Sequence, residues 1–277
     1  MPSRRTYLTT LVAASLAGCV ADSPTTGTDG PADDATVTGT ASRPALRVET
    51  AAVQYSYRHI QNVDWNAIQP ADGQFVFVTI DTSDVEPIPG REAFTLVADG
   101  ASHDAADIAD RNPVSLDVPG NAYWPEEYGE TRGWLGFDVP ARLDSEPSLR
   151  LDGENGTWEW ELDTAKATAP PPEWEWTASA PPTVAPGTTF DITIVAENVG
   201  DGPGTFRGAV NFSYPFYHPK GFDIELESGA SGEATVSAEV DDAEPGRELS
   251  YGVRTATGTS TVTTTVESAS TATERTD

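Results

Sequence analysis

Between residues 44 and 163 the chain is built of short stretches rich in apolar and β-branched residues, each bounded by Gly, Pro, Asn or Asp. VQYSYRH (53–59) sets Val53, Tyr55 and Tyr57 against Gln54, Ser56 and Arg58. That period of two places the first three on one face of a strand. GQFVFVTIDT (73–82) is a β-branched and aromatic run long enough for a buried strand. EAFTLVAD, PVSLDVP, GWLGFDVP, PSLRLD and TWEWELD follow. Short strands at such spacing predict a β-sandwich over 44–163. ASHDAADIADR (101–111) is the exception and predicts one helical turn in a crossover loop.

A second series begins near residue 173 and ends near 267: EWEWTAS, TFDITIVAENV, FRGAVNFSY, GFDIELES, EATVSAEV, RELSYGVRT and STVTTTVE. Phe190, Ile192, Ile194 and Ala196 alternate onto one face. The prediction is a second sandwich over 173–267. Between the two series, residues 164–172 end in three prolines. Consecutive prolines favour a stiff polyproline II spacer, so this segment is expected to be a hinge that keeps the pair extended. Residues 268–277 form a polar tail. Residues 20–43 are rich in Thr, Ser, Gly, Pro and Asp and read as a disordered tether, with Cys19 at its head.

The first 18 residues are of another kind. Arg4 and Arg5 are followed by an apolar run and then small residues. At roughly 12 residues the run falls short of the about 20 needed to cross a bilayer, so it reads as a signal peptide. Ser3-Arg4-Arg5-Thr6-Tyr7-Leu8 resembles a twin-arginine export signal. Leu16-Ala17-Gly18-Cys19 resembles the lipobox of lipoproteins. That resemblance implies that the Cys19 thiol takes a diacyl- or dialkylglycerol group and that cleavage makes it the first mature residue. Two lipid chains anchor firmly where one of about 14 carbons binds marginally. The expected location is extracytoplasmic, on the outer face of the cell membrane, with the membrane itself as partner through Cys19.

Charge narrows the class further. There are 44 acidic and 16 basic residues, a net of −28, and Lys166 and Lys220 are the only lysines. Loss of residues 1–18 removes two arginines and no acid. Such a surface argues against nucleic acid as a partner. Its self-repulsion is screened at molar salt, where the Debye length is about 3 Å. In this respect the chain resembles proteins of extremely salt-loving archaea. Cys19 is the only cysteine, so no disulfide can form within the chain and apolar burial must hold the fold.

Two further resemblances concern the folded parts. GQFVFVTIDTSD (73–84), REAFTLVADGASHDA (91–105) and LRLDG (149–153), with Gly133, Leu135, Phe137, Val139 and Pro140, resemble an immunoglobulin-like domain of prokaryotic surface lipoproteins. The usual Asn-x-Gly after the central strand is replaced here by DTSDVEP. Pro186, Gly187, Phe190, Ile192, Ile194, Asn198 and Gly200 resemble an adhesion-related (CARDB-like) immunoglobulin-like module. Together they imply an all-β chain of two tandem immunoglobulin-like antiparallel sandwiches. Neither family brings catalytic residues with it.

The candidate chemistry is sparse. A blue-copper site needs two His, a Cys and usually a Met, but the one Cys falls to lipid and the one Met is Met1. His59, His103 and His218 lack metal-ligand spacing, and Asp241-Asp242 lacks the alternating acids of a calcium loop. Carboxylates are too abundant to single out a catalytic pair. No metal, cofactor or enzymatic activity is expected. Trp158 and Trp160, and Trp174 and Trp176, each share a strand face, and core packing is the expected role of both pairs.

Loop aromatics stand out instead: Tyr123, Trp124 and Tyr128 in one polar segment, and Tyr214, Phe216, Tyr217 and His218 in another. Tyrosine and tryptophan are enriched at recognition patches. Asn155-Gly156-Thr157 and Asn211-Phe212-Ser213 are N-glycosylation sequons. The expected role is that of a non-catalytic surface protein for interaction, adhesion or envelope organisation. Its partner is an unidentified envelope protein or a glycan. The alternatives are a carbohydrate-binding accessory lipoprotein that uses the loop aromatics and, third, an enzyme without a recognised motif.

Overall fold

The computed structural model describes residues 42–63, 65–212, 219–240 and 243–268. Cys19, Arg4, Arg5, Asp241, Asp242, Tyr214, Phe216, Tyr217 and His218 lie outside the described residues, as do nearly all of the tether and tail.

In the first sandwich, β1 (Arg47–Asn62), β2 (Trp65–Asp81) and β5 (Arg132–Val139) form one antiparallel sheet in the order β1-β2-β5. The facing sheet runs β4 (Ala101–Asp104), β3 (Phe94–Ala98), β6 (Ser148–Gly153), β7 (Gly156–Glu161). Val76, Val78 and Ile80 point between the sheets, where they meet Phe94, Leu96, Leu135, Phe137 and Leu149. Burying each such side chain contributes about 1.5–3 kcal/mol.

The alternate residues of β2, Phe75 and Phe77, are buried as well, on the outer face. They pack with Tyr57, Ile108, Val118 and Trp134 in a separate apolar cluster. The segment 105–124 supplies the cover. That explains why PVSLDVP is not a strand. It makes only a bridge from Pro113 to His59, and its Leu116 and Val118 lie on the outer cluster. Gln54 holds it in place, donating to the Ser115 carbonyl and accepting from the Asp117 amide. The expected helical turn reduces to a single 3-10 turn, Ala109–Arg111, because Ala101–Asp104 pairs with β3 as β4.

Strand β1 departs from simple alternation. Its register with β2 shifts between Gln54, opposite Phe75, and Ser56, opposite Pro70, so that residues 71–74 of β2 bulge out against Tyr55 alone. Such a bulge bends the pair and re-aims the side chains beyond it. Val53 therefore belongs to the inter-sheet core and Tyr57 to the outer cluster. The hairpin also extends further than its sequence suggests, because WNAIQP (65–70) pairs with residues 56–62.

The second sandwich joins β8 (Trp174–Ser179), β10 (Thr189–Asn198) and β13 (Ser231–Glu239) in the order β13-β10-β8. Its other sheet contains β9 (Thr183–Val184), β11 (Gly204–Phe212), β12 (Lys220–Leu226), β14 (Glu248–Thr255) and β15 (Gly258–Val266), in the order β12-β11-β14-β15-β9. Among the strand pairs of the described residues, only β15–β9 is parallel. Phe190, Ile192, Ile194 and Ala196 are all buried, as their alternation predicts. Set β9 aside and the two sandwiches share one strand order: first, second and fifth in one sheet; fourth, third, sixth and seventh in the other. This is the immunoglobulin-like arrangement, with the fourth strand beside the third.

The proline segment is no free spacer. Ala167, in the 3-10 turn Ala165–Thr168, is fully buried against the first sandwich, and its carbonyl accepts from the Leu143 amide and the Gln74 side chain. The prolines then run along the glycine-rich turn of the second sandwich. A β-carbon on Gly200 would fall 2.3 Å from the Glu173 nitrogen, and one on Gly202 would fall 1.7 Å from the Pro170 carbonyl oxygen. Asn198, entirely buried, completes the clamp. Its amide donates to the carbonyls of Gly202 and Leu226, while its oxygen accepts from the amides of Glu173 and Gly200.

The sandwiches also touch directly, which further corrects the expectation of an extended pair. The far half of the β1–β2 hairpin lies against β11. Arg207, on β11, has a side chain only 3% exposed and pairs with Asp117 of the first sandwich at 2.5 Å and with Asp223 of its own sandwich at 3.4 Å. Arg58 reaches across to Asp223 at 3.5 Å. The Arg254 guanidinium stacks 4.2 Å from the Trp65 ring, a cation–π contact.

Candidate functional site

The segment 121–131 leads into β5. Residues 121–123 run beside that strand, with the Tyr123 amide donating to the Trp134 carbonyl and the Trp134 amide to the Asn121 carbonyl. This approach requires Gly133, since a β-carbon there would fall 2.6 Å from the Tyr123 nitrogen. Pro125–Tyr128 then forms a single helical turn, α1, closed by Gly129 at φ 65°. Proline at its start and glycine after its end suit such a turn. Trp124 and Tyr128 thus stand one turn apart, and the Tyr128 amide donates to the Trp124 carbonyl.

The three aromatics expected to act together are separated. Tyr123 is 1% exposed and belongs to the core. Its ring meets Phe94 edge-on at 5.8 Å, and its hydroxyl donates to the Pro89 carbonyl and bonds the Thr82 hydroxyl. Tyr123 is therefore not a contact residue. Proximity to Gly133 at the β5 edge draws it inward, a relationship that appears only once the strands pair. Trp124 is half-buried and Tyr128 is 66% exposed. The Tyr128 phenol has its pKa raised, first by its hydrogen bond to the Glu127 carboxylate.

Trp124 forms the wall between two grooves. One, of about 570 Å³, is charged and is lined by Arg91, Glu92, Phe94, Asp104, Asp107 and Glu126. The Arg91 guanidinium lies 5.4 Å from the Trp124 ring. Its position is fixed by the Ala105 and Ala106 carbonyls and by Asp107 at 3.0 Å. The other groove, of about 510 Å³, is more apolar. Ile60, Pro113, Val114, Ala122, Tyr128 and Trp134 line it with Trp124. Ile60 and Val114 are 44% and 45% exposed. Sequence reasoning missed both, because Ile60 sits in a strand and Val114 in an expected strand; only the fold brings them beside Trp124.

The remaining candidates are dispersed. Trp158 and Trp160 pack, half-buried, on the first core, and Trp174 and Trp176 on the second, where both approach Phe206. The Arg43 guanidinium covers Trp160 at 4.5 Å. Asn155 is exposed in the turn between β6 and β7. Asn211 is 2% exposed on β11. Its amide donates to the Asn66 carbonyl and its oxygen accepts from the Asn66 amide. His59 lies on β1, where burial and then the Arg111 charge hold its pKa low, and His103 lies on β4. Among the described residues no group of three or more His, Cys, Asp or Glu is arranged to hold a metal ion. Among them, too, no helix is long and apolar enough to cross a membrane.

No family model matches the chain, and no curated protein sequence matches it. Among solved structures it is similar to the β-glucosidase from Listeria innocua in complex with isofagomine, at 14% identity and a TM-score of 0.29. That match covers 56% of this chain and 21% of the glucosidase chain. The same enzyme in complex with gluconolactone matches at 12% identity and a TM-score of 0.27, over 57% of this chain and 21% of the other. The chain thus spans far less than two thirds of these structures, and at such values the likeness carries nothing about chemistry.

Proposed function

We propose that this protein is a non-catalytic contact module of the cell envelope, held at the outer face of the membrane by lipid on Cys19. Its contact surface is the ridge of Trp124 and Tyr128 with the grooves on either side. The observation that carries the contact role is the exposed apolar group Ile60, Val114 and Tyr128 around half-buried Trp124. On a chain with a net charge of −28, such a cluster is the part of the described surface best suited to exclude water against a partner. Support for the location comes from the leader: the arginine pair, the short apolar run and the four residues ending in Cys19 stand in register.

A second reading is favoured by the charged groove. Trp124 beside Arg91 and four carboxylates offers a flat ring and hydrogen-bonding groups, which a sugar ring needs. Both readings are tested with the mature protein at molar salt, against a glycan panel and by crosslinking in native envelopes. A protein partner lost on Trp124→Ala or Tyr128→Ala supports the contact module. Glycan binding lost on the same changes supports the accessory binder. Undiminished capture by both variants overturns the ridge as the contact surface. Cys19→Ser tests the anchor: release into the medium or blocked processing is expected, and unchanged membrane retention overturns it.

A further inference from the structure

We infer that Asn155 is an N-linked glycan acceptor and that Asn211, which carries the other sequon, stays bare because the fold uses its amide as an inter-sandwich bond. The inference rests on the export proposed above, since the modifying enzyme acts outside the cytoplasm.

The two sequons are alike in sequence and opposite in structure. Asn211 spends its amide hydrogen-bonding capacity on one residue of the other sandwich: Nδ2 donates to the Asn66 carbonyl at 3.2 Å and Oδ1 accepts from the Asn66 amide at 3.1 Å. Asn66 itself is buried. A sugar on Nδ2 would have to occupy the space that Asn66 fills, so glycosylation and docking are mutually exclusive there. Asn155 has no such duty. It lies at the tip of the β6–β7 hairpin, between Gly153 and Gly156, with exposed residues from Asp152 to Thr157. The Thr157 hydroxyl, which an acceptor sequon must present, donates to Asp152 at 2.7 Å. That bond is exposed, and releasing it costs about 0.5–1.5 kcal/mol, too little to mask the site. Trp158, half-buried, leans over the same turn; a β-carbon on Gly153 would lie 3.1 Å from its ring. The first sugar therefore has an indole beside it.

In the transfer, Nδ2 of Asn155 bonds to the anomeric carbon of a sugar donated by a lipid-linked oligosaccharide. The bond from that carbon to the lipid phosphate oxygen breaks, the oxygen keeps the electron pair, and the amide releases one proton.

The test is peptide-level mass mapping of the full chain purified from its native envelope. The expected result is sugar on the peptide containing Asn155 and none on the peptide containing Asn211. Asn155→Gln and Thr157→Val are expected to abolish the modification, Thr157→Ser to keep it, and Asn211→Gln to leave it unchanged. Sugar on Asn211, or a bare Asn155 in molecules already processed at Cys19, overturns the inference while leaving export standing. A bare Asn155 in molecules that still carry residues 1–18 overturns both. Mapping by peptide also separates this site from any O-linked sugar on the threonine-rich tether.

Discussion

Gly202 and Pro170 lie in van der Waals contact across the junction of the two sandwiches, so close that no β-carbon fits on Gly202 without meeting the Pro170 carbonyl oxygen. The neighbouring Gly200 makes the same kind of approach to Pro171 and Glu173. Alternate glycines thus cut a track in which the prolines lie. Gly202→Val should lift the prolines out of it. The expected outcome is a lower unfolding midpoint and faster proteolysis between residues 164 and 173, read by limited digestion at molar salt; an unchanged digestion pattern would contradict the track.

Asn198 satisfies four backbone groups from three segments while wholly buried. Asn198→Ala leaves several of them without partners. Each buried group so stranded costs about 1–3 kcal/mol, and a total near 2–4 kcal/mol is expected by denaturant titration.

Arg207 is the interface residue whose loss should be felt most. Removing a buried charge from its pair costs up to about 3–5 kcal/mol, and less here because Asp117 and Asp223 keep about 43% and 42% of their side-chain surface in water. Arg207→Ala should therefore lower stability by about 1–3 kcal/mol and split a single unfolding transition into two, seen by calorimetry. Arg207→Lys should restore little, because a single ammonium cannot span two carboxylates as a guanidinium fork does.

Adjacent aromatics should give opposite results. Tyr123→Ala should destabilise by about 3–5 kcal/mol, as loss of a large core ring does. Trp124→Ala and Tyr128→Ala should leave the unfolding midpoint nearly unchanged and affect partner capture instead. Parallel stability and binding measurements on the three variants check this.

Tyr251 is 1% exposed, and burial pushes its phenol up to about 12 from 10.0. Its hydroxyl has no hydrogen-bond partner among the described residues. A raised folded-state pKa means that its contribution to stability is complete below pH 10 and is lost as pH rises toward 12, where the unfolded chain holds tyrosinate and the fold cannot. The loss is on the order of 1.4 kcal/mol per pH unit across that window. Tyr251→Phe should remove this part of the alkaline slope and cost little at neutral pH, because it deletes an unpartnered polar group. Urea titrations between pH 9 and 12 compare the two.

Most of the strands are visible in the order of residues because alternation survives where one face is wet. In β10 the buried set Phe190, Ile192, Ile194 and Ala196 follows directly from it. The reading fails where the second face is covered from far along the chain. Residues 105–124 bury the outer side of β2, so Leu116 and Val118 mimic a strand while acting as a lid. The bulge of residues 71–74 opposite Tyr55 cannot be recognised until β1 meets β2. The candidate ridge was half legible: Trp124 and Tyr128 stand out in a polar stretch, whereas Ile60 and Val114 join them only in three dimensions. The clamp left a trace that alternation ignores. Glycines at 200, 202 and 204, set against prolines at 170, 171 and 172, are one track and its occupant.

That clamp governs how the pair bears load. A tandem array joined by slack linkers yields to tension by straightening them first. Here the connecting strip is already seated along its whole length, fastened at Ala167 on one side and at Asn198 on the other. Tension across the two sandwiches has no compliant segment to draw out, so the pair resists as one stiff spring until a fastening shears.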